Sequence, residues 1–377
     1  MYIKNANIPL LLEAVDALQV GEKEVVMLLL AEKTDLEMQV LIQALNARKI
    51  IFFGGIFPGL VFGNMQKNEG CIVKKFTLAM APFAVTNIAS SECRGFPELE
   101  CIQHLENCTS IILVDGLTPN IYRFLEKLND ILGERCSFIG GGAGSISLQQ
   151  SPCVFWPEGF LQDAGIVCTI QSEVRLGVRH GWVQMAGPLV ATQTEGNTIF
   201  QLNWEKAFDV YTRVVKKETG LEINKENFLS IAQGFPFGIV RERADDIVRD
   251  PLYIGPGGEI ICIGEVPANT VLYILKGTNA ALLSAAEKVM QDCGQGTHFP
   301  IQANGTFVVD CITRTLFLNE HFAEEMDIIR RNIRIQSIEE EPFGILSLGE
   351  ISSYGEGALE LFNKTIVVGT FLDPSAS

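Results

Sequence analysis

Polar and ionisable side chains follow an apolar run near the C-terminus of the chain. Residues 343–348 have the length of a strand and close on Gly349 and Glu350, and Asn363 and Thr365 precede another apolar run. A glycine before the glutamate permits backbone angles or close approaches that a side chain forbids. One carboxylate, one amide and one hydroxyl near two strand ends can form a small polar site, or they can be ordinary turn residues.

A second apolar run, residues 306–309, leads to Cys311 and Arg314. The guanidinium of arginine is a planar fork suited to a carboxylate. If this run and residues 343–348 are neighbouring strands, Arg314 and Glu350 converge at one edge of a sheet, where ligands commonly bind in α/β folds. The two charges match a zwitterion such as an amino acid, or they form an internal ion pair. We therefore predict a small-molecule pocket lined by Cys311, Arg314, Gly349, Glu350, Asn363 and Thr365.

A glycine-rich run, residues 140–145, follows a strand predicted at residues 137–139. A P-loop has Lys-Ser or Lys-Thr after its glycines, and neither follows here. The dinucleotide-binding pattern requires a helix behind the glycines, whereas residues 149–152 are typical of a loop. The glycines therefore form a tight turn, or they let a ligand approach main-chain N–H groups. The second alternative adds Gly141, Gly142 and Ser145 to the predicted site.

Histidine, cysteine and serine spacings give no catalytic or metal-binding motif. The sequence lacks His-x-x-x-His, Cys-x-x-Cys and the Gly-x-Ser-x-Gly of a hydrolase. An enzyme of unknown class is therefore an alternative and not the prediction, and no cofactor is predicted. Haem is the cofactor to consider, because its axial ligand requires an imidazole directed into an apolar cavity, helped by a nearby aromatic residue. His180, beside Trp182, has that setting, although it can equally be structural.

The composition describes a globular protein with a sizeable core. Of its 377 residues, 47% are hydrophobic and 20% are charged. The 45 acidic and 29 basic residues give a net charge of −16, which opposes phosphate backbones and anionic lipids, so neither nucleic acid nor a membrane is an expected partner. Ten scattered cysteines are typical of a reduced intracellular protein, and no targeting signal or membrane-length apolar stretch is visible. We expect a soluble, cytoplasmic protein.

The candidate site residues are positioned by strands and helices, and the patterns that predict these elements alternate along the chain. A strand at 24–30, a helix at 36–46 and a strand at 50–53 suggest an α/β unit with a parallel strand pair. Residues 159–171 and 174–180 are predicted as two antiparallel strands that pair with each other.

The chain is too long for one average domain, and its composition becomes more charged just after residue 200. We predict a mixed α/β (α+β) fold of two domains, residues 1–200 and 201–377. Each domain is expected to contain a mixed sheet with flanking helices.

The chain resembles the FIST domain proteins over nearly its full length. In the first half the similarity is carried by the glycine run, by Gly187-Pro188 and by residues 195–199. In the second half it is carried by three pieces, each short but specific in order and spacing: residues 309–314 with Glu325 after them, residues 343–351, and residues 362–365. The resemblance implies a FIST N-terminal-like domain over 1–200 and a FIST C-terminal-like domain over 201–377.

The FIST resemblance implies a sensory, ligand-binding module of signal transduction with no catalytic activity. Amino acids or related small metabolites are the ligands it suggests, and some members bind haem and report nitric oxide to a partner histidine kinase. No kinase, chemoreceptor, cyclase or F-box segment fits in this chain. We therefore expect output in trans, through a partner such as a histidine kinase or a chemoreceptor. The alternatives are a haem-binding nitric-oxide sensor, with His180 as the iron ligand, and an enzyme.

Overall fold

The computed structural model describes residues 1–90, 92–241, 245–294, 303–335, 338, 340–353 and 359–372. Its α-helices are α1 (Ile8–Ala17), α2 (Met38–Ala47), α3 (Ile121–Leu132), α4 (Ala207–Thr219), α5 (Phe228–Ala232), α6 (Asn279–Gly294), α7 (Ile312–Leu318) and α8 (Phe322–Ile335). Its strands are β1 (Tyr2–Ile3), β2 (Glu24–Ala31), β3 (Phe52–Phe57), β4 (Gly59–Phe62), β5 (Met65–Lys67), β6 (Cys71–Thr86), β7 (Cys108–Asp115), β8 (Cys136–Ala143), β9 (Val154–Trp156), β10 (Gly159–Leu161), β11 (Ala164–Ile170), β12 (Val174–Arg179), β13 (Val183–Glu195), β14 (Thr198–Leu202), β15 (Glu205–Lys206), β16 (Phe237–Ile239), β17 (Ile247–Arg249), β18 (Pro251–Ile254), β19 (Ile260–Cys262), β20 (Thr270–Lys276), β21 (Ala303–Cys311), β22 (Phe343–Ser347), β23 (Glu350–Ser353), β24 (Leu359–Phe362) and β25 (Ile366–Leu372). The predicted mixed α/β class is confirmed.

These strands form three sheets. The first has the order β10-β9-β3-β2-β6-β11-β7-β8-β23-β24, with β1 beside β6. The second is β12-β25-β21-β22-β4-β5, and the third is β17-β16-β20-β13-β14-β19-β18 with β15 beside β14. Each sheet contains strands from both sides of residue 200. The division of the chain at that residue therefore stays a prediction made from the sequence.

The first and second sheets pack face to face. Alternate residues of β2, such as Val25 and Met27, share a buried cluster with Phe307 and Val309 of β21. The opposite face of the first sheet packs against α1, α2 and α3, and that of the second packs against α6, α7 and α8. The result is a four-layer helix–sheet–sheet–helix core, and the third sheet packs separately against α4 and α5.

Local sequence explains why the first α/β unit forms. Strand β2 is almost entirely apolar and is buried on both faces, which is typical of a strand inside a layered α/β fold. It pairs in parallel with β3 through the crossover helix α2, as predicted. Helix α1 begins after Asn7, whose side chain accepts a hydrogen bond from the N–H of Leu10 at 3.0 Å.

Most of the glycine run belongs to strand β8, and the tight turn predicted there is wrong for residues 140–143. A Cβ atom at Gly140 would clash with the carbonyl oxygen of Ile112 in the neighbouring strand β7. A Cβ atom at Gly142 would lie 2.9 Å from the Cα atom of Gly116. Glycine is required here because other backbones approach β8 closely.

The pairing predicted for residues 159–171 and 174–180 is also wrong. Strand β11 lies between β6 and β7 in the first sheet, whereas β12 pairs with β25 at the edge of the second. The two segments differ in burial, because β11 is buried along its whole length whereas β12 is only partly buried. Between them the chain crosses from one layer of the sandwich to the next.

Candidate functional site

Most of the sequence-predicted site residues come together where strands of the first two sheets end. Strands β21 and β22 are parallel neighbours, with Cys311 opposite Ser347. Strand β23 then begins at Glu350, which lies opposite Gly141 of β8. Two strand ends of one sheet thus meet the glycine-rich strand of the other. Eight of the nine predicted residues lie there and are buried: Cys311, Arg314, Gly349, Glu350, Asn363, Thr365, Gly141 and Gly142.

Protein groups hold the carboxyl group of Glu350. Its Oε1 atom accepts a hydrogen bond from the Ser347 hydroxyl at 2.5 Å, and Oε2 accepts one from the N–H of Thr365 at 3.1 Å. Burial raises the pKa of Glu350 to about 8, although these hydrogen bonds, the Cys311 thiol and the charge of Arg314 act to lower it. Burial therefore favours the neutral form of Glu350.

Arg314 forms its ion pair with Glu325 of helix α8. The guanidinium donates to Oε1 of Glu325 from Nε at 3.0 Å and from Nη2 at 2.6 Å, and Nε lies 3.7 Å from Oδ1 of Asp310. Burial acts to lower the pKa of Arg314, but the two carboxyl groups outweigh it and the pKa is raised. Burial and then Glu325 raise the pKa of Asp310 well above its ordinary value, which favours protonated Asp310.

The other N–H groups of Arg314 bind main-chain carbonyl oxygens. Nη2 donates to Leu282 at 2.9 Å, Nη1 donates to His180, and Nη1 also lies 3.5 Å from the oxygen of Lys364. One side chain on α7 therefore ties together α6, α8, the end of β12 and the β24–β25 turn. These bonds satisfy a fully buried cation, and they occupy the donors that a ligand carboxylate would use.

A second buried ion pair was not among the sequence-predicted residues. Nζ of Lys364 lies 3.1 Å from Oδ2 of Asp250, and both side chains are buried. Nζ also lies 5.1 Å from the ring centroid of Trp182. Lys364 stands inside the predicted Asn-Lys-Thr segment, but charged residues in turns are normally exposed, and no local signal marks Asp250. We call the set Asp250, Asp310, Arg314, Glu325, Glu350 and Lys364 the buried charge cluster.

The contacts of Gly142, Gly349 and Cys311 are with other protein groups. The N–H of Gly142 donates to the carbonyl oxygen of Gly349 at 2.8 Å, and Gly349 has a φ of 130°, which favours glycine. The Cys311 thiol lies 3.2 Å from the Thr313 hydroxyl, and burial raises its pKa to about 12. Ser145 lies apart from the others, because it follows the end of β8 in a surface turn.

The surroundings of His180 do not fit a haem iron ligand. The side chain is buried, and its Nδ1 atom accepts a hydrogen bond from the N–H of Trp182 at 2.9 Å. Burial lowers the pKa of His180 to about 4, and nearby charges include Asp245, Asp246 and Arg314. The imidazole thus faces packed and charged protein groups, whereas an axial ligand needs an apolar cavity.

A cleft of about 780 Å³ lies beside the same strand ends. One wall is the loop after β7 together with helix α3, and the other comes from β17 to β19 and the loops around them. Leu348, Leu359 and Leu361 also line the cleft. Its volume falls in the range of about 300–1,000 Å³ that is usual for small-molecule sites. The charged residues among the described lining are Glu126, Arg249, Glu265 and Glu360.

Arg249 is an unusual component of the cleft wall. The side chain is only 7% exposed, with Nε donating to the carbonyl oxygen of Glu265 at 2.8 Å and Nη1 donating to those of Val248 and Leu361 at 3.1 Å each. Among the described residues no carboxylate lies within ion-pair distance of it, and Nη2 makes no hydrogen bond. Burial lowers the pKa of Arg249, as expected for a cation removed from water. Such a group can bind an anion that enters the cleft.

The cleft and the buried charge cluster share short segments of chain. Arg249 lines the cleft, and the next residue, Asp250, pairs with Lys364. Leu348 lines the cleft two residues before Glu350, and Leu361 lines it three residues before Lys364. Three of the residues that line the cleft therefore lie within three positions along the chain of members of the buried charge cluster.

Two protein-family models match the chain. The FIST N domain model matches residues 25–205, and the FIST C domain model matches residues 207–353. The chain belongs to the FIST family. FIST domains are a sensory family of signal transduction, so this FIST protein has a sensory role. No curated protein matches the FIST chain in sequence.

Among the described helices of this FIST protein, none is both long and apolar enough to cross a membrane. Within the described ranges, no group of three or more His, Cys, Asp or Glu side chains is placed to hold a metal ion.

Proposed function

We propose that this FIST protein is a small-molecule sensor that binds an amino acid or a related small metabolite in the cleft. Its output passes to a partner protein in trans, such as a histidine kinase or a chemoreceptor. Arg249 supplies the observation that carries the proposal. A buried guanidinium without an ion pair at the wall of a cleft is costly unless an anion joins it, and a carboxylate matches its planar donors.

The rest of the cleft suits an organic molecule that carries such a carboxylate. Apolar side chains from both walls, including Leu125, Ile261 and Leu348, surround the charged residues. A largely apolar lining with a few polar groups is the usual composition of a small-molecule site. The carboxylate then binds Arg249, and the hydrocarbon part of the ligand packs on the leucines and isoleucines.

Arg314 and Glu350 stay predicted ligand residues, and the buried charge cluster is the second locus to test. The hydrogen bonds of Arg314 to Glu325 and to main-chain carbonyls support a positioning role for it instead. In the proposal these residues hold the strand ends that form the cleft wall.

Calorimetry with a panel of amino acids tests the proposal. Arg249→Gln should weaken binding of the best panel member by about 1.5–3 kcal/mol, the usual worth of a hydrogen bond to a charged group, and Arg249→Lys should recover only part of this. Arg213→Gln is the matched control, because Arg213 is an exposed arginine paired with Glu205.

Two results would overturn the proposal. One is that no member of the panel binds the wild-type protein. The other is that folded Arg314→Ala or Glu350→Gln loses binding while Arg249→Gln keeps it, which places the ligand in the buried charge cluster. A Soret band in the purified protein would instead support the haem alternative, and loss of the band in His180→Ala would assign its ligand.

A further inference from the structure

Three glutamates line the cleft, and their charges exceed that of Arg249. Glu126 comes from helix α3, Glu265 follows β19 and Glu360 lies on β24. Among the described residues none of the three carboxylates forms an ion pair or accepts a hydrogen bond. Because an excess of negative charge in a cleft attracts cations, the cleft complements a ligand that is positively charged overall.

We propose that the cleft selects a cationic amino acid, one with a second ammonium or guanidinium group on its side chain. The inference rests on the proposed function and names the ligand class of the same site. Arg249 binds the α-carboxylate. The α-ammonium and the side-chain cation bind the glutamates, and the apolar residues contact the methylene groups between them.

Glu265 and Glu360 lie close to the arginine that anchors the carboxylate. The main-chain oxygen of Glu265 accepts a hydrogen bond from Nε of Arg249, and the charges of both glutamates act on that guanidinium. Neither carboxylate lies within ion-pair distance of it among the described residues, so space separates the opposite charges. An α-amino acid carries an ammonium and a carboxylate on one carbon atom, so it can bind the guanidinium and a glutamate carboxylate together.

Glu126 supplies the more distant negative charge. It lies on the opposite wall from Glu265, and the two carboxylates are near enough to repel each other. Burial raises the pKa of Glu265, the charges of Arg249 and Arg123 act to lower it, and the charge of Glu126 acts to raise it. A cation bound between Glu126 and Glu265 would offset the repulsion of these two carboxylates. Arg123 also acts on Glu265 but is exposed, and its guanidinium lies over the ring of Tyr122 at 5.5 Å.

A ligand held in this way joins the two parts of the chain. Glu126 lies within the segment matched by the FIST N model, and Glu265 lies within the segment matched by the FIST C model. A cation between these two carboxylates draws the walls together. Ligand binding thereby acts on both halves of the molecule, as a sensor requires.

Calorimetric titration with lysine, norleucine, cadaverine and glutamate tests the inference. Norleucine lacks the side-chain ammonium of lysine, and cadaverine lacks its carboxylate. We expect lysine to bind at least about tenfold more tightly than either, because each loses one charge-assisted contact. Glutamate should bind more weakly than lysine. The advantage of lysine over norleucine should shrink in Glu265→Gln and Glu126→Gln and persist in Glu22→Gln, an exposed control outside the cleft lining.

The outcomes separate this inference from the proposed function. If norleucine or glutamate binds as tightly as lysine, or if both cleft variants keep the full preference, the charge selectivity is wrong while an amino-acid sensor remains. If only cadaverine binds, the anchoring of a carboxylate is wrong. If no compound binds in the wider amino-acid panel either, the proposed function fails and the selectivity fails with it.

Discussion

Arg314 and Arg249 are both almost completely buried, yet their surroundings differ in one respect. Arg314 has a carboxylate partner in Glu325 and donates its other N–H groups to main-chain oxygens. Arg249 donates to main-chain oxygens alone, and it faces a cleft. The comparison teaches that burial by itself does not mark a binding arginine. A cation in direct contact with a buried carboxylate supports the fold, whereas one beside a cavity with no carboxylate within ion-pair distance among the described residues can receive a ligand.

Removing Arg314 should have the largest effect on stability. Arg314→Ala leaves Glu325 buried without its cation, and it leaves several carbonyl oxygens without a donor. We expect the free energy of unfolding to fall by about 3–5 kcal/mol, measured by urea denaturation. The matched control is Arg213→Ala, which breaks an exposed pair with Glu205 and should change stability little. If both variants lose similar amounts of unfolding free energy, the buried Arg314–Glu325 pair stabilises the protein no more than the exposed Arg213–Glu205 pair does.

Breaking the buried pair between Lys364 and Asp250 should lower the free energy of unfolding by somewhat less than Arg314→Ala does. Lys364→Met leaves the buried Asp250 carboxylate without its cation. Because burial already raises the pKa of that carboxyl, Asp250 can take up a proton. We expect a loss of about 3 kcal/mol in the free energy of unfolding. The double variant Lys364→Met with Asp250→Asn should regain most of it, because neither buried charge remains. A double variant less stable than the single one would show that the pair has another role.

Arg249→Gln should separate binding from stability. The variant loses hydrogen bonds to main-chain oxygens, but it also removes a buried charge that forms no ion pair among the described residues. We expect a change of about 1–2 kcal/mol in the free energy of unfolding, smaller than that for Arg314→Ala. Thermal shift assays with and without lysine should show that Arg249→Gln loses the ligand-induced stabilisation. Retention of that stabilisation would contradict the assignment of the two arginines.

The titration of Glu350 should give the smallest change in the free energy of unfolding, when the change is measured over one pH unit. Its folded-state pKa of about 8 lies above the ordinary value of 4.5, so the folded protein binds the proton more tightly than the unfolded chain. Stability is then greatest below about pH 4.5 for this group and decreases as pH rises towards 8, by at most about 1.4 kcal/mol per pH unit. Glu350→Gln should remove this component. A stability profile from pH 5.5 to 8 with the same slope in both proteins would contradict it.

Local sequence determined the strand ends and the residues that cluster there. An apolar run followed by Gly349 and Glu350 marks the end of a strand, and the run before Cys311 does the same, although Glu350 and Cys311 stay buried in the folded chain. Parallel pairing of β21 and β22 then brings those ends together, which is why most of the predicted residues meet. The mixed α/β class and the FIST family were also predictable from local sequence. The class follows from the alternation of strand and helix patterns, and the family follows from short motifs in a fixed order along the chain.

Tertiary structure alone decided which charges face each other. Arg314 pairs with Glu325 because α7 and α8 both pack on the second sheet. Lys364 pairs with Asp250 because the turn between β24 and β25 lies against the turn between β17 and β18 of the third sheet. Arg249 lies in the cleft only because strands of the third sheet approach the β23–β24 hairpin, where it binds the carbonyl oxygen of a residue 112 positions away. Periodicity shows which side chains are buried, but it contains no information about their partners from other sheets. The cleft is bounded by segments distant in sequence, so its charge balance exists only in the folded chain.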